Sequence, residues 1–271
     1  MSEWNATTYE GKDTILRVVR HEAERMFALA DRPDAWERGT ACTEWTTRDV
    51  VGHIVDTTEG YFRAFDAARG TGDVPPPHGP AAMSELANAG ATAFRGVGQA
   101  EMMDRLRADF HKMQELLSAL GPEDWTGLMV THAYFGPVPA FFFAAGQLMD
   151  YGVHSWDIRQ TSGRAHALSG DVADLLVPFM WSIWQGTVRP EAVGEPFTIG
   201  IRVGGRNGGD FRVSVGAEGL TYEPGEIESL PALVEFDAAD MVLTAFGRIN
   251  GGTVRGDMEL AERYLNLFFP I

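Results

Sequence analysis

Asp150-Tyr151-Gly152-Val153-His154-Ser155-Trp156-Asp157-Ile158 lies inside a run, Ala140 to Gln160, that reads as one helix. The four-residue spacing from Asp150 to His154 puts both side chains on one helical face, about one turn apart. Phe143 and Gln147 share that face, so it points inward. An ionised carboxylate facing a core is costly unless it is paired or holds a metal. His53 lies in the middle of a second expected helix, between Val50, Val51 and Ile54, Val55, and it too points inward. Two histidines and a carboxylate from facing helices form a catalytic type of metal set, leaving open positions for water or substrate. Two plainer readings stay open on the residues alone. Asp150 and His154 can be an ordinary intrahelical ion pair, and His53 a core histidine with a hydrogen-bond partner.

Outward from this stretch, the first two thirds of the chain are expected to be helical. Ile15, Val18, Val19, Met26, Leu29 and Ala30 repeat at helical spacing over 14–30. A second helix starts near Thr46 or Thr47, where Thr46 and Asp49 form a capping-box pattern, and runs to about Ala68. Arg69 to Pro80 is a loop by composition. A third, long helix is expected from Met83 to Leu120, ended by Gly121-Pro122, with irregular chain from Glu123 to Pro139. The helix over 140–160 is the fourth; TSGR follows it, and Asp171 to Trp184 is a shorter fifth. Four long helices joined by loops predict a four-helix bundle.

Near Gly186 the pattern changes. Phe197–Val203 and Phe211–Val215 alternate like strands around a hairpin turn, GGRNGGD, which precedes no helix and so is no phosphate loop. Leu220–Tyr222, Leu233–Phe236 and Val254 suggest further strands. Asp237–Phe246 and Met258–Phe269 read as helices, the first capped by Asp237. The expected organisation is two domains, helical over 1–186 and small α+β over 187–271.

Lys plus Arg total 22 against 38 for Asp plus Glu, a formal net charge of -16. Such a surface repels phosphate backbones and anionic lipids, so neither nucleic acid nor membrane is an expected partner. An anionic substrate would need local arginines. The single cysteine, Cys42, can form no intramolecular disulfide and no thiolate metal cluster. The polar N-terminus lacks a secretory pattern, and the longest apolar stretch, Val138 to Met149, falls short of the roughly 20 residues of a membrane span. A reducing cytoplasm is the expected location.

Two segments carry a family resemblance. Cys42-Thr43-Glu44-Trp45-Thr46-Thr47-Arg48-Asp49-Val50-Val51-Gly52-His53 resembles the C-x-x-W-[ST]-x-[RK]-[DE]-hydrophobic-x-x-H signature of the mycothiol-dependent maleylpyruvate isomerase family, within the DinB-like superfamily. Asp150 to Ile158 resembles that family's E-x3-H-x-W-D-hydrophobic motif. Asp240–Arg248 and Val254–Leu260 are similar to its small sterol-carrier-like domain. The resemblance implies a DinB-like metal-binding four-helix bundle followed by a sterol-carrier-like α+β domain. His53, Asp150 and His154 match the family's zinc ligands. Here the carboxylate is Asp where the family commonly has Glu, one methylene longer. Arg248 best matches a functional arginine of the family's C-terminal domain, with Arg255 as rival.

The activity implied is metal-dependent and uses a low-molecular-weight thiol, mycothiol by resemblance, with zinc as the first candidate metal. The thiolate would isomerise a maleylpyruvate-like cis alkene or transfer to an electrophile, with Arg248 holding a carboxylate. Expected partners are a small-molecule substrate and the thiol, in a monomer or homodimer. Two other classes compete. An oxygen-activating iron enzyme also uses two histidines and a carboxylate, but on a β-barrel. A small-molecule-binding protein would use the C-terminal domain and keep a structural or vestigial metal. Among the remaining residues, Asp157 either orients a ligand or pairs with Arg159 or Arg48. Trp45 and Trp156 read as core anchors and Cys42 as a small buried residue. His132 and Tyr134 line a pocket mouth or are solvated, the second reading being preferred. His21, His78, His111 and His166 have no ligand-like spacing.

Overall fold

The computed structural model describes residues 3–73, 76–163 and 166–269. It is a mixed helix-plus-sheet chain whose residues group into two compact units, 1–172 and 173–271. Among the described residues, no helix is long and apolar enough to cross a membrane.

In the first unit, α1 (Lys12–Ala30), α2 (Thr47–Ala68), α3 (Met83–Ala93) and α4 (Gln99–Ser118) precede a short α5 (Pro122–Gly127). A two-stranded hairpin follows, β1 (Met129–His132) with β2 (Gly136–Pro139). Next come α6 (Phe141–Leu148), a π-helical turn (Met149–Val153) and α7 (His154–Gln160), which continue one another. Helix α1 packs on α4 and on the 141–160 segment, α2 packs on α3 and α4, and β1 lies against α2. Ile15, Val19, Met26, Ile54, Phe65, Leu106, Met113 and Phe143 form a core with at most 1% exposure.

Local chemistry explains several boundaries. Thr46 and Asp49 form the expected capping box at α2, and the Thr46 amide donates to Asp49 Oδ2 at 3.0 Å. Asp49, fully buried, also accepts two hydrogen bonds from Arg95, at 2.8 and 3.1 Å. At the end of α4 the Lys12 ammonium donates to the carbonyls of Ser118 and Leu120, each at 2.6 Å. It thereby partners carbonyls that a helix end leaves without intrahelical donors.

The structure departs from the sequence expectation at three places. The single helix expected over 83–120 breaks between Ala93 and Gln99, where Gly96 and Gly98 weaken the helical backbone. The stretch 123–139 contains α5 and the β1–β2 hairpin, closed at Gly136 with φ of 73°. The helix over 140–160 is interrupted by the π-turn. The two compact units meet in sequence at 172/173, in the first turn of α8 (Gly170–Thr187). The aromatic face of α8 accounts for this: Trp181 stacks on Tyr222 with ring centroids 4.5 Å apart, and Trp184 meets Tyr264 at 5.5 Å. The loop expected over 69–80 and the TSGR segment after α7 are free of helix and strand where they are described up to 79. Residues 74, 75 and 164 lie outside the described residues.

The second unit holds a five-stranded sheet in the order β5-β4-β3-β6-β7. Its strands are β3 (Phe197–Val203), β4 (Gly209–Gly216), β5 (Gly219–Pro224), β6 (Ala232–Phe236) and β7 (Thr253–Gly256). Only the β3–β6 pair is parallel among these neighbours. The β3–β4 connection is 204–208, within the expected GGRNGGD turn, whose last two residues, Gly209 and Asp210, already pair with Val203 and Arg202. Helices α9 (Ala238–Ala245) and α10 (Met258–Leu265) complete the unit, with Asp237 Oδ1 capping α9 through the Asp240 amide at 2.7 Å.

Candidate metal centre

The site begins with the turn that carries Asp150. In an α-helix four residues overshoot one turn by about 40°. The wider i→i+5 ring of the π-turn over Met149–Val153 brings Asp150 and His154 nearer to a full turn apart. His53 comes from α2. One donor atom from each of His53, Asp150 and His154 lies within 4.8 Å of the other two. His53 Nε2 is 3.6 Å from Asp150 Oδ1. Two ligands each about 2.1 Å from one tetrahedral ion would stand roughly 3.4 Å apart, so this pair already has ligand-like spacing.

Asp150 is 7% exposed and His154 8%. Asp150 Oδ2 is buried and has no hydrogen-bond partner among the described residues. A buried carboxylate oxygen without a donor costs free energy that a bound cation would offset. The donor set suits a borderline divalent ion, and the residues present therefore fit a metal.

A second layer sits behind His154. Its Nδ1 lies 2.8 Å from Oδ2 of Asp157, whose carboxylate is fully buried. Cys42 Sγ donates to the same Oδ2 at 3.0 Å and stands 3.7 Å from His154 Nδ1. Cys42, His154 and Asp157 make a second triad of possible donor atoms, sharing His154 with the first. Of the two readings of Asp157, the structure places its carboxylate against His154, a candidate ligand. Cys42 is half-buried beside the site, not sealed in the core as its small size suggested.

Aromatic side chains wall the site. Trp45 packs at 5.1 Å from His53 and 6.0 Å from His154, ring to ring, so it borders the centre and is not a remote core anchor. Trp156 is the core anchor expected, buried and donating to the His166 carbonyl at 2.8 Å. Tyr61 lies over Gly146, where an added Cβ would come within 2.6 Å of the phenol oxygen. Burial, reinforced by the Asp150 charge, pushes the Tyr61 phenol well above its ordinary range. His132 ends β1 within 6.1 Å of the Tyr61 ring. Burial pulls its imidazole down to about 4, although the Asp150 charge opposes the shift. The solvated reading of His132 is thus replaced by a packed one. A signal was present in the sequence: His132 and Tyr134 lie in the segment that leads into the helix carrying Asp150.

In the second unit, Arg248 follows α9, and its Nη1 donates to the Phe246 carbonyl at 2.7 Å. Arg255, on β7, pairs with Glu235 at 2.8 Å and is 61% exposed.

The class defined here is a mixed helix-plus-sheet protein with two histidines and a carboxylate gathered on its helices. Residues 18–159 match the family described as mycothiol maleylpyruvate isomerase N-terminal domain, and the chain belongs to that family. Among solved structures it is similar to the mycothiol-dependent maleylpyruvate isomerase, with TM-score 0.56 and 15% identity, over 91% of this chain and 94% of that one. It is equally similar to a mutant of that enzyme, with TM-score 0.56 and 14% identity over the same shares. At such identities the likeness is one of fold. No curated protein matches the sequence.

Proposed function

We propose that the chain is a metal-dependent enzyme that uses a low-molecular-weight thiol, mycothiol first, to isomerise a maleylpyruvate-like cis alkene. The observation that carries this reading is the convergence of His53, Asp150 and His154 around a buried carboxylate oxygen without a donor. Family membership supplies the thiol and the substrate class. On the same reading, the first unit is a DinB-like four-helix bundle and the second a sterol-carrier-like domain. The proposed protein is cytoplasmic, a monomer or homodimer, with a small-molecule substrate and the thiol as partners.

A divalent metal, zinc first, would supply Lewis acidity and lower the pKa of a coordinated thiol, so that thiolate forms at neutral pH. The chain's own residues do the rest. Asp157 holds His154 by Nδ1, which leaves Nε2 for the site. Trp45 presents a wall that keeps the reacting groups from bulk water. Arg248 is the proposed carboxylate-binding residue. The thiolate sulfur adds to one alkene carbon, and the π pair moves onto the conjugated carbonyl oxygen. Rotation about the new single bond follows. Return of the electron pair then breaks the carbon–sulfur bond, releasing thiolate and the trans alkene.

Asp150 is the observation that favours a second reading, S-transfer to an electrophile. A carboxylate one methylene shorter than the family's glutamate sets a different reach from the helix to the ion.

Metal analysis of the purified protein tests the proposal, together with mycothiol titration of a cobalt-substituted sample and a maleylpyruvate assay. The expected result is about one divalent ion per chain, since three facing ligands define one site. That ion is lost in His53→Ala, and mycothiol changes the cobalt spectrum of the wild type. Absence of metal from the wild type, or equal metal in His53→Ala, sinks the proposal. Turnover of electrophiles without isomerisation selects the S-transfer reading.

A further inference from the structure

The steps above leave His132 without a role, although it is the most constrained imidazole in the first unit that is not a candidate ligand. The backbone N–H of Tyr134 donates to His132 Nδ1 at 3.2 Å. Nδ1 is therefore an acceptor, the ring is neutral, and its proton sits on Nε2. Phe135 stacks on the ring at 5.1 Å, and Phe142, Phe143 and Tyr61 surround it at 5.6, 5.9 and 6.1 Å. These contacts fix the ring plane and hence the direction of the Nε2–H bond. No protein acceptor takes that proton among the described residues. The ring stands where the Asp150 charge reaches it, beside Tyr61, which lies over the inward face of the Asp150 helix. A rigid neutral donor without a protein acceptor among the described residues thus stands beside Tyr61, whose phenol lies against Gly146, one turn before Asp150.

We infer that His132 is a catalytic hydrogen-bond donor, whose Nε2–H binds the carbonyl oxygen of the unsaturated substrate on which charge develops when the thiolate adds. The inference rests on the isomerase reading given above. When the carbon–sulfur bond forms, the π pair shifts to that oxygen, and the Nε2–H bond to it strengthens. When the bond breaks, the charge leaves the oxygen and the hydrogen bond weakens again. The proton stays on Nε2 throughout, so no acid or base is consumed. A donor already oriented before reaction needs no reorganisation as charge develops, which is why such groups contribute strongly to rate.

The test compares wild type, His132→Phe and His132→Gln as metal-loaded proteins. Phenylalanine keeps the aromatic packing and removes the donor, whereas glutamine places an amide N–H near the position of Nε2. The expected result is a fall in kcat of about 100-fold for His132→Phe, in the range for loss of one oxyanion donor, with recovery of at least tenfold in His132→Gln. The mycothiol-induced cobalt spectrum is expected unchanged in all three. A second measurement needs no variant. In the zinc-loaded wild type with 15N-labelled histidine, maleate is expected to shift the His132 Nε2–H signal and leave that of His111 unmoved. Wild-type kcat in His132→Phe, or an unmoved His132 signal, overturns the inference while the function stands. A wild type that binds mycothiol and never isomerises maleylpyruvate overturns the isomerase reading and this inference together.

Discussion

His154 and Asp157, one turn apart on α7, meet through Nδ1 and Oδ2 at 2.8 Å, with the carboxylate fully buried. The pair fixes which imidazole nitrogen faces the site. Asp157→Asn keeps the shape and removes the charge, so it weakens the preference for the Nδ1–H tautomer. Loss of such a partner typically costs a ligand histidine about 10–100-fold in metal affinity. Competition with a graded series of chelators measures this, and equal affinity in Asp157→Asn would refute the role.

Gly146 and Tyr61 define the second prediction. An added Cβ at 146 would stand 2.6 Å from the Tyr61 phenol oxygen and 3.2 Å from Cζ. Gly146→Ala gains about 1 kcal/mol in helix propensity but forces a rigid buried ring to move, a cost of about 1–3 kcal/mol. The net effect is expected to be destabilising and to shift the Tyr61 ring away from the site. Tyr61→Phe removes the oxygen, so the double variant recovers stability relative to Gly146→Ala. A double-mutant cycle by denaturant unfolding reads the coupling, and additive effects would contradict the steric account.

These two cases also show what the chain makes legible. The inward face of the Asp150 helix follows from periodicity, because Phe143, Gln147, Asp150 and His154 share it whatever the exact pitch. The Thr46–Asp49 box is legible because its chemistry is local. The strands of the second unit follow from alternation and from the glycines of the β3–β4 turn. The π-turn is not legible, since an inserted i→i+5 ring needs no special residue and leaves the apolar pattern intact. The break at 94–98 hides for a similar reason: Phe94 and Val97 keep the apolar stripe running across Gly96 and Gly98. The β1–β2 hairpin hides because Pro137 and Pro139 mask a short strand. The surroundings of His132 and Cys42 depend on tertiary closure. Cys42 meets Asp157 across 115 residues, a contact that composition and local spacing do not encode.

Lys12 gives a stability prediction independent of the site. The residue is 5% exposed, and its ammonium serves two carbonyls at the end of α4. Lys12→Met keeps the apolar stem and leaves both carbonyls without a donor. The expected loss is about 1–3 kcal/mol, the cost of leaving the buried Leu120 carbonyl unpaired, since the part-buried Ser118 carbonyl can turn to water. Urea unfolding checks it as a lower midpoint, and amide exchange localises the opening to the last turn of α4. An unchanged midpoint would show that water replaces the ammonium.

Asp109 carries the pH prediction. Burial, followed by the Glu59 charge, raises its carboxyl from 3.8 to about 6, although Arg105 and Lys112 oppose the shift. Its Oδ2 is buried without a hydrogen-bond partner among the described residues. A folded-state value above the unfolded one means that the native chain holds this proton more tightly. The protonated form therefore favours folding, and stability falls as pH rises from about 4 through about 6. Asp109→Asn mimics the protonated state at every pH. It is expected to gain on the order of 1–2 kcal/mol over wild type at neutral pH, reduced from the full shift because the group is only partly buried. Below the unfolded carboxyl value the advantage vanishes, since both states of the wild type are then protonated. Thermal unfolding of the two proteins from pH 4 to 8 reads the difference as a widening gap in Tm, of roughly 2–4 °C per kcal/mol for a chain of this size. A gap that is constant with pH would mean that the substitution acts through packing and that Asp109 titrates at its ordinary value.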